Sequence, residues 1–176
     1  MHVTLIAAQS LDGYITFHGQ PGSEFTSEAD KKYFRETLRN YDCRVMGAES
    51  YRTTRDMTRR AAAGGADIVI TTRHPERFSA DVIPEKLEFT SGTPREILQQ
   101  FSAKGRANCA LLGGGQTYSR FLAEGCVDEL WLTIEPRLFG GGTRLLAKET
   151  DTKLSLQSNE TLSANTLLLK YRVIRK

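Results

Sequence analysis

The chain has 176 residues, a formal net charge of +3, 39% hydrophobic residues and 26% charged ones. That suits one well-packed domain and excludes a disordered, collagen-like or low-complexity chain. The mild positive balance fits an anionic small ligand and is too weak for a nucleic-acid partner, because the basic residues show neither aromatic interleaving nor a recognition-helix motif.

The first predicted element, VTLIAA (3–8), is a continuous apolar run of the kind found in strands covered on both faces. It is too short for a signal or a membrane span and no basic segment precedes it, so a cytoplasmic protein with no membrane partner is expected. SLDG (10–13) is a turn signal, followed by a short extended piece, YITF (14–17). Thr26-Ser27-Glu28-Ala29-Asp30 reads as a helix start, with Phe34, Leu38 and Tyr41 supplying one buried stripe. CRVMG (43–47) and DIVITT (67–72) are the second and third strands, LEFTS (87–91) is a fourth, and RRAAAGGAD (59–67) is the most flexible-looking segment. Thr93-Pro94-Arg95-Glu96 is a capping box with proline at the first helical position, and Ile97, Leu98 and Phe101 form that helix's apolar face.

CALLG (109–113) is a strand, and a helix packing through Tyr118, Phe121 and Leu122 follows it and ends near Gly125. VDELWLTIEP is another strand, where Trp131 reads as core or interface packing. KLSLQ and TLLLKYRVI form a final antiparallel pair at or near an edge. The alternation predicts a single α/β domain over 1–176, with a mainly parallel central sheet, antiparallel C-terminal strands and helices on both faces. Cys43, Cys109 and Cys126 lack CxxC spacing and read as reduced thiols; His2, His18 and His74 are dispersed, so no metal site is expected.

Gly113-Gly114-Gly115 sits where a strand runs into a helix. Bare backbone there can approach a pyrophosphate, with the free N–H groups of the helix pointing at it and Gln116 and Thr117 adding donors. A tight strand-to-helix turn explains the same glycines equally well. The pattern is neither GxGxxG nor a P-loop. A second cluster, Phe139-Gly140-Gly141-Gly142-Thr143, has no helix after it and reads as a mobile connecting loop.

SLDG, VMGAESY, LLGGGQTYSRFLAEGCVDELWLTIEPRLFG and LLLKYRV occur in that order. Together they resemble the reductase family of riboflavin biosynthesis, the RibD C-terminal domain, which is similar in fold to dihydrofolate reductase. The resemblance spans nearly the whole chain, with GCVDELWLTIEPRLFGGG its most specific part. It implies a three-layer dihydrofolate-reductase-like fold, NADPH as hydride donor and a homodimer. No zinc-deaminase signature precedes the domain, so a freestanding reductase is expected.

Carried onto these residues, the resemblance makes Gly113 to Thr117 the pyrophosphate turn and Gly47, Ala48, Glu49 and Ser50 the second nucleotide-binding turn. Thr71, Thr72 and Arg73 follow the third strand, where two hydroxyls and a guanidinium suit the adenosine 2′-phosphate; on the residues alone Arg73 is a surface arginine. Ala8 would offer backbone groups to the nicotinamide. Asp12 is either a turn residue bonding its own backbone or an acid flanking nicotinamide and substrate. Asp30 is either a helix-capping acid or the counterpart of the acid that binds pterin, since ADKKYF resembles that helix; Thr26, Ser27 and Phe34 would then also line the substrate. A carboxyl that donates the proton should have a raised pKa, and Asp12 and Asp30 are the catalytic candidates.

Two features depart from riboflavin reductases. Gly113 stands where they carry a glutamate, and TTRDMTRR lacks their acidic pair, although Arg60, with Arg55 and Arg59, remains a candidate for a ribose phosphate. The implied reaction is hydride transfer to the ribosyl group of a pyrimidine phosphate, as in 5-amino-6-(5-phosphoribosylamino)uracil reductase. Reduction of a dihydrofolate or pterin on the same fold and a non-catalytic NADPH-binding module are the alternatives.

Overall fold

A computed structural model of the chain describes every residue except Gly19, Pro21, Ser23 and Lys176, and its apolar runs pair into one sheet. β1 (His2–Ser10), β2 (Cys43–Gly47), β3 (Asp67–Thr71), β4 (Leu87–Thr90), β5 (Asn108–Leu111) and β6 (Glu129–Glu135) run parallel. β7 (Lys153–Ser163) and β8 (Thr166–Ile174) complete one edge, each antiparallel to its neighbour. The order across the sheet is β4-β3-β2-β5-β1-β6-β8-β7. This is the mainly parallel sheet with antiparallel C-terminal strands that the alternation of elements predicts.

Among the described residues four α-helices cover it: α1 (Glu28–Thr37), α2 (Ala48–Ala63), α3 (Pro94–Ala103) and α4 (Gly115–Ala123). Successive strand residues point to opposite faces, and the core divides accordingly. Val3, Leu5, Val45, Val69 and Leu111 pack with Ile97 and Phe101 of α3 and Tyr118 and Phe121 of α4. On the other face Met46, Ile68 and Ile70 pack with Tyr51 and Ala62 of α2. Ile6 and Ala110 pack there with Leu38, just past α1, alongside Phe34 and Tyr41.

Local signals set the helix ends. Ser27 Oγ accepts the Asp30 amide at 3.2 Å, capping α1. Thr93 and Glu96 form a reciprocal capping box on α3, and Gly125, at φ +65, lies just past the end of α4. Thr93→Ala should cost about 1 kcal/mol, lowering Tm by roughly 2–4 °C; a thermal melt by circular dichroism reads this directly.

Three expectations need correction. YITF makes only isolated bridges, Tyr14 with Arg144 and Phe17 with Gln20, because its partners are loops rather than a strand. Arg59 to Ala63 are the last turns of α2, anchored by Ala62 at 1% exposure, so only the Gly64-Gly65 turn of that segment is irregular. The strand begun by KLSLQ runs on to Ser163, its pairing with β8 shifting register between Leu156 and Ser158.

Candidate functional site

The C-terminal ends of the parallel strands form one edge of the sheet, and the residues singled out in the sequence lie along it in a definite order. Thr71 ends β3, Gly47 ends β2, the three glycines follow β5, Ala8 lies near the end of β1, and Thr133 and Glu135 end β6. Neighbouring strands are about 4.8 Å apart, so this row of five ends spans roughly 19 Å, enough for an extended dinucleotide.

In the middle of the row two helices start side by side. Gly47 N donates to Gly113 O at 2.6 Å, which ties the start of α2 to the glycine turn before α4. Neither helix has a side-chain cap, whereas α1 and α3 do. The first amides of α2 and α4 are thus left for an outside acceptor, and both helix dipoles favour an anion there.

The glycines divide by what the protein itself requires. A Cβ on Gly47 would lie 2.6 Å from Thr117 Oγ1, one on Gly113 (φ +106) 2.8 Å from the Tyr118 hydroxyl, and one on Gly115 2.8 Å from Arg144 O. Close packing excludes side chains at these three. Gly114 is different: its φ of −84° suits any residue, and a Cβ there meets only Ser50 Oγ, at 3.5 Å. Crowding of a Cβ therefore does not account for the glycine there, whereas a ligand lying between the two helix starts would.

Around the turn, Thr71 Oγ1 lies 3.3 Å from Thr117 Oγ1 and donates to Met46 O at 3.4 Å. Tyr118 donates its buried hydroxyl to Ile6 O at 2.8 Å, tying α4 to β1 two residues before Ala8; complete burial raises its pKa strongly. Ala48 and Ser50 are half-buried, Glu49 is exposed and pairs with Arg52, and Gln116 is exposed at the mouth of the turn. Thr72 Oγ1 accepts the His74 amide. Arg73 projects into solvent at the β3 end of the row.

Asp12 has another occupation. Its carboxylate accepts Ser10 Oγ at 2.6 Å, Gly140 N at 2.7 Å and Phe139 N at 3.1 Å. The Ser10 hydroxyl and these amides hold its pKa at about 2, so it keeps no proton to donate. Besides bonding its own backbone, it fastens the SLDG turn to the second glycine cluster, which is a connecting loop tied down at this point. That loop packs closely, since a Cβ on Gly142 would lie 2.2 Å from Thr16 O.

The far end of the row is acidic and buried. Asp30 is 8% exposed and Glu135 2%. Glu135 Oε1 accepts Ser27 N at 2.8 Å and Ser27 Oγ at 3.0 Å, and Oε2 accepts Thr166 Oγ1 at 3.3 Å. Desolvation raises the Asp30 pKa; the Thr133 and Thr26 hydroxyls temper this, and the Glu135 charge adds to it. The Thr26 hydroxyl, in a residue 5% exposed, lies beside the Asp30 carboxyl and favours its charged form. Thr133 and Glu135 pair in register with Ala8 and Ser10, so the acids adjoin the strand end expected to meet nicotinamide.

One predicted substrate contact lies elsewhere. Arg60 is on the last turns of α2, roughly 18 Å along the helix from its start, and bonds the Asp56 carbonyl of its own helix. Arg55 and Arg59 bind Asp81. The direction of α2, away from the C-terminal edge, removes all three from the row. Phe34, one helical turn after Asp30, is half-buried and packs against Ile6 and Leu38. Glu135 carries no site signal in the sequence beyond that of an acid closing the apolar strand VDELWLTIEP.

Among the described residues no helix is long and apolar enough to cross a membrane, and no group of His, Cys, Asp and Glu is placed to hold a metal ion.

A model of the RibD C-terminal domain family matches residues 1–168. The uncharacterized protein YwjB of Bacillus subtilis is 26% identical over 164 residues, 89% of each chain. A pyrimidine reductase-like protein of Corynebacterium diphtheriae shares the fold at a TM-score of 0.79 and 20% identity, covering 99% of this chain and 92% of its own. So does a diaminohydroxyphosphoribosylaminopyrimidine deaminase/5-amino-6-(5-phosphoribosylamino)uracil reductase of Thermotoga maritima, at a TM-score of 0.77 and 17% identity over 98% of this chain and 56% of that one.

Proposed function

We propose, from the premise that the chain belongs to the RibD C-terminal domain family, that it is an NADPH-dependent reductase of a small heterocyclic substrate. The observation that carries this reading is the row along the sheet edge: an exposed arginine, two uncapped helix starts around a glycine with room for a Cβ, then a buried acid. Arg73 and Thr71 would receive the 2′-phosphate end, the amides of α2 and α4 the pyrophosphate, and Ala8 the nicotinamide.

Bound NADPH would supply a hydride to an electrophilic carbon of the substrate. The chain supplies alignment, exclusion of water and a proton. Asp30, whose pKa burial raises, would give that proton to the heteroatom beside the reduced carbon and be recharged from solvent. One hydride and one proton then account for the two-electron reduction.

The leading substrate is the ribosylaminopyrimidine phosphate of riboflavin biosynthesis. A pterin or folate is the second reading, favoured by Asp30 beside Thr133 and by the distance of Arg55, Arg59 and Arg60 from that end. Purified protein should oxidise NADPH with one of the two acceptors; thermal-shift assays with NADPH, NADH and each acceptor identify which ligands bind. Stabilisation by none of them overturns the reductase reading.

Arg73→Gln should weaken NADPH at least about tenfold, the loss of a charge-assisted phosphate contact, and leave NADH unchanged. Calorimetric titration of both nucleotides checks this, and equal losses would remove Arg73 from the phosphate. The homodimer belongs to the same proposal: Leu154, Leu156 and Leu167 expose 39%, 50% and 45% of their surface, and the register of β7 and β8 puts them on one face, which a second copy would cover.

A further inference from the structure

Glu135 has no part in the reading above, yet it is the most buried carboxylate at the acid end of the row. It ends β6, and its side chain reaches across to the first turn of α1 instead of into solvent. There it takes both the amide and the hydroxyl of Ser27, the residue whose Oγ in turn accepts the Asp30 amide. Thr166 of β8 closes the set by donating to the second carboxylate oxygen. Glu135 therefore joins three elements, and Asp30 hangs from the one it secures.

We propose that Glu135 is the positioning residue of this site: it bolts the start of α1 to the end of β6 and thereby fixes Asp30 in place, with a second carboxylate beside it.

Of the charges that act on Asp30 directly, Glu135 is the negative one and Lys31 the positive one. Among the described residues, α1 presents Lys31 and Tyr33, and β6 presents Glu135 and the neutral Thr133; β8 brings Thr166 to both Glu135 and Ser27 and Lys170 over the Tyr33 ring, and β7 brings Glu160, which pairs with Lys170. Lys31 is engaged by Glu28 at 2.9 Å; its charge and that of Glu135 act on Asp30 in opposite senses. Two carboxyl groups sharing a buried site do not both ionise readily. Glu135 accepts three hydrogen bonds, and its charge adds to the burial that raises the Asp30 pKa. In its protonated form Asp30 offers one O–H donor and one carbonyl acceptor, with the Thr26 and Thr133 hydroxyls beside it. The matching substrate edge is a ring nitrogen or carbonyl next to an N–H.

This inference rests on the assignment of Asp30 to the substrate end, but its test needs neither substrate nor NADPH. In protein labelled with 13C at the side-chain carboxyls, the Asp30 titration is followed by NMR in wild type and in Glu135→Gln, which keeps an acceptor for Ser27 and removes the charge. The Asp30 midpoint should fall by about one pH unit, with the Ser27 and Asp30 amide shifts little changed. An unmoved midpoint overturns the proposal. The wild type gives an independent reading should the variant fold poorly: the Ser27 amide, held by Glu135, should resist hydrogen exchange as the interior of β6 does, and an unprotected Ser27 amide overturns the proposal equally. Loss of NADPH binding in thermal shift, with that protection and the Asp30 shift intact, would sink the reductase reading and leave this one standing.

Discussion

Gly114→Val lowers NADPH affinity by about 100-fold or more and leaves Tm within roughly 3 °C of wild type. The second half follows from the backbone: Gly114 has φ −84 and ψ −161, an extended conformation natural to valine. The only heavy atom facing a new Cβ is Ser50 Oγ, at 3.5 Å, an ordinary contact. The first half follows from where that side chain goes. Ser50 belongs to the first turn of α2, so the added methyls enter the space between the two helix starts, over amides that have no side-chain cap. A pyrophosphate displaced from there loses several charge-assisted hydrogen bonds, each contributing about 1.5–3 kcal/mol, and two such losses exceed the roughly 2.7 kcal/mol that a 100-fold change represents. Calorimetric titration beside a thermal melt separates the two halves. Alanine at Gly113 or Gly115 should give the opposite pattern, a lowered Tm, because close contacts with Tyr118 and Arg144 forbid a side chain there. Undiminished binding by Gly114→Val would place the nucleotide elsewhere.

Asp30→Asn is expected to lower kcat by about 10²–10⁴-fold, the usual contribution of a positioned acid, with the Kd for NADPH unaltered. Asparagine keeps the shape and cannot deliver an acid proton. In wild type the protonated form is the working one, so kcat holds at low pH and falls tenfold per unit above the raised Asp30 pKa. The stability consequence has the reverse sign from that of an ion-paired carboxylate. Because the folded state holds a proton that the unfolded chain gives up near pH 3.9, the contribution of Asp30 worsens as pH rises through the interval between that value and its folded pKa. Asp30→Asn should therefore melt no lower than wild type at neutral pH while losing turnover. Single-turnover kinetics across pH, run beside melts, reads both; a variant that loses Tm and activity together would reduce Asp30 to a packing role.

The sheet and helix order were legible because their causes are local: apolar runs for β1 to β6, a hydroxyl at Ser27, the Thr93–Glu96 box, and the glycine after α4. The cofactor half of the site was legible for the same reason, since a glycine turn between strand and helix carries its meaning in consecutive residues. What escaped was made by contacts across the chain. Glu135 meets Ser27 from 108 residues away, and Asp12 meets Gly140 across 128, so neither partnership leaves a local trace. Arg60 misled because an Arg-rich stretch says nothing of which way its helix runs; α2 leads away from the strand ends and hands Arg55 and Arg59 to Asp81.

The clasp between Gly47 and Gly113, with Thr117 wedged against it, has a consequence for how such an enzyme can change. It sets the gauge of the slot by backbone and a single buried threonine, independently of the carboxyl pair two strands away. Retooling the chain for another acceptor would then be a matter of a few positions around residues 30 and 135, with the grip on its reductant inherited unaltered.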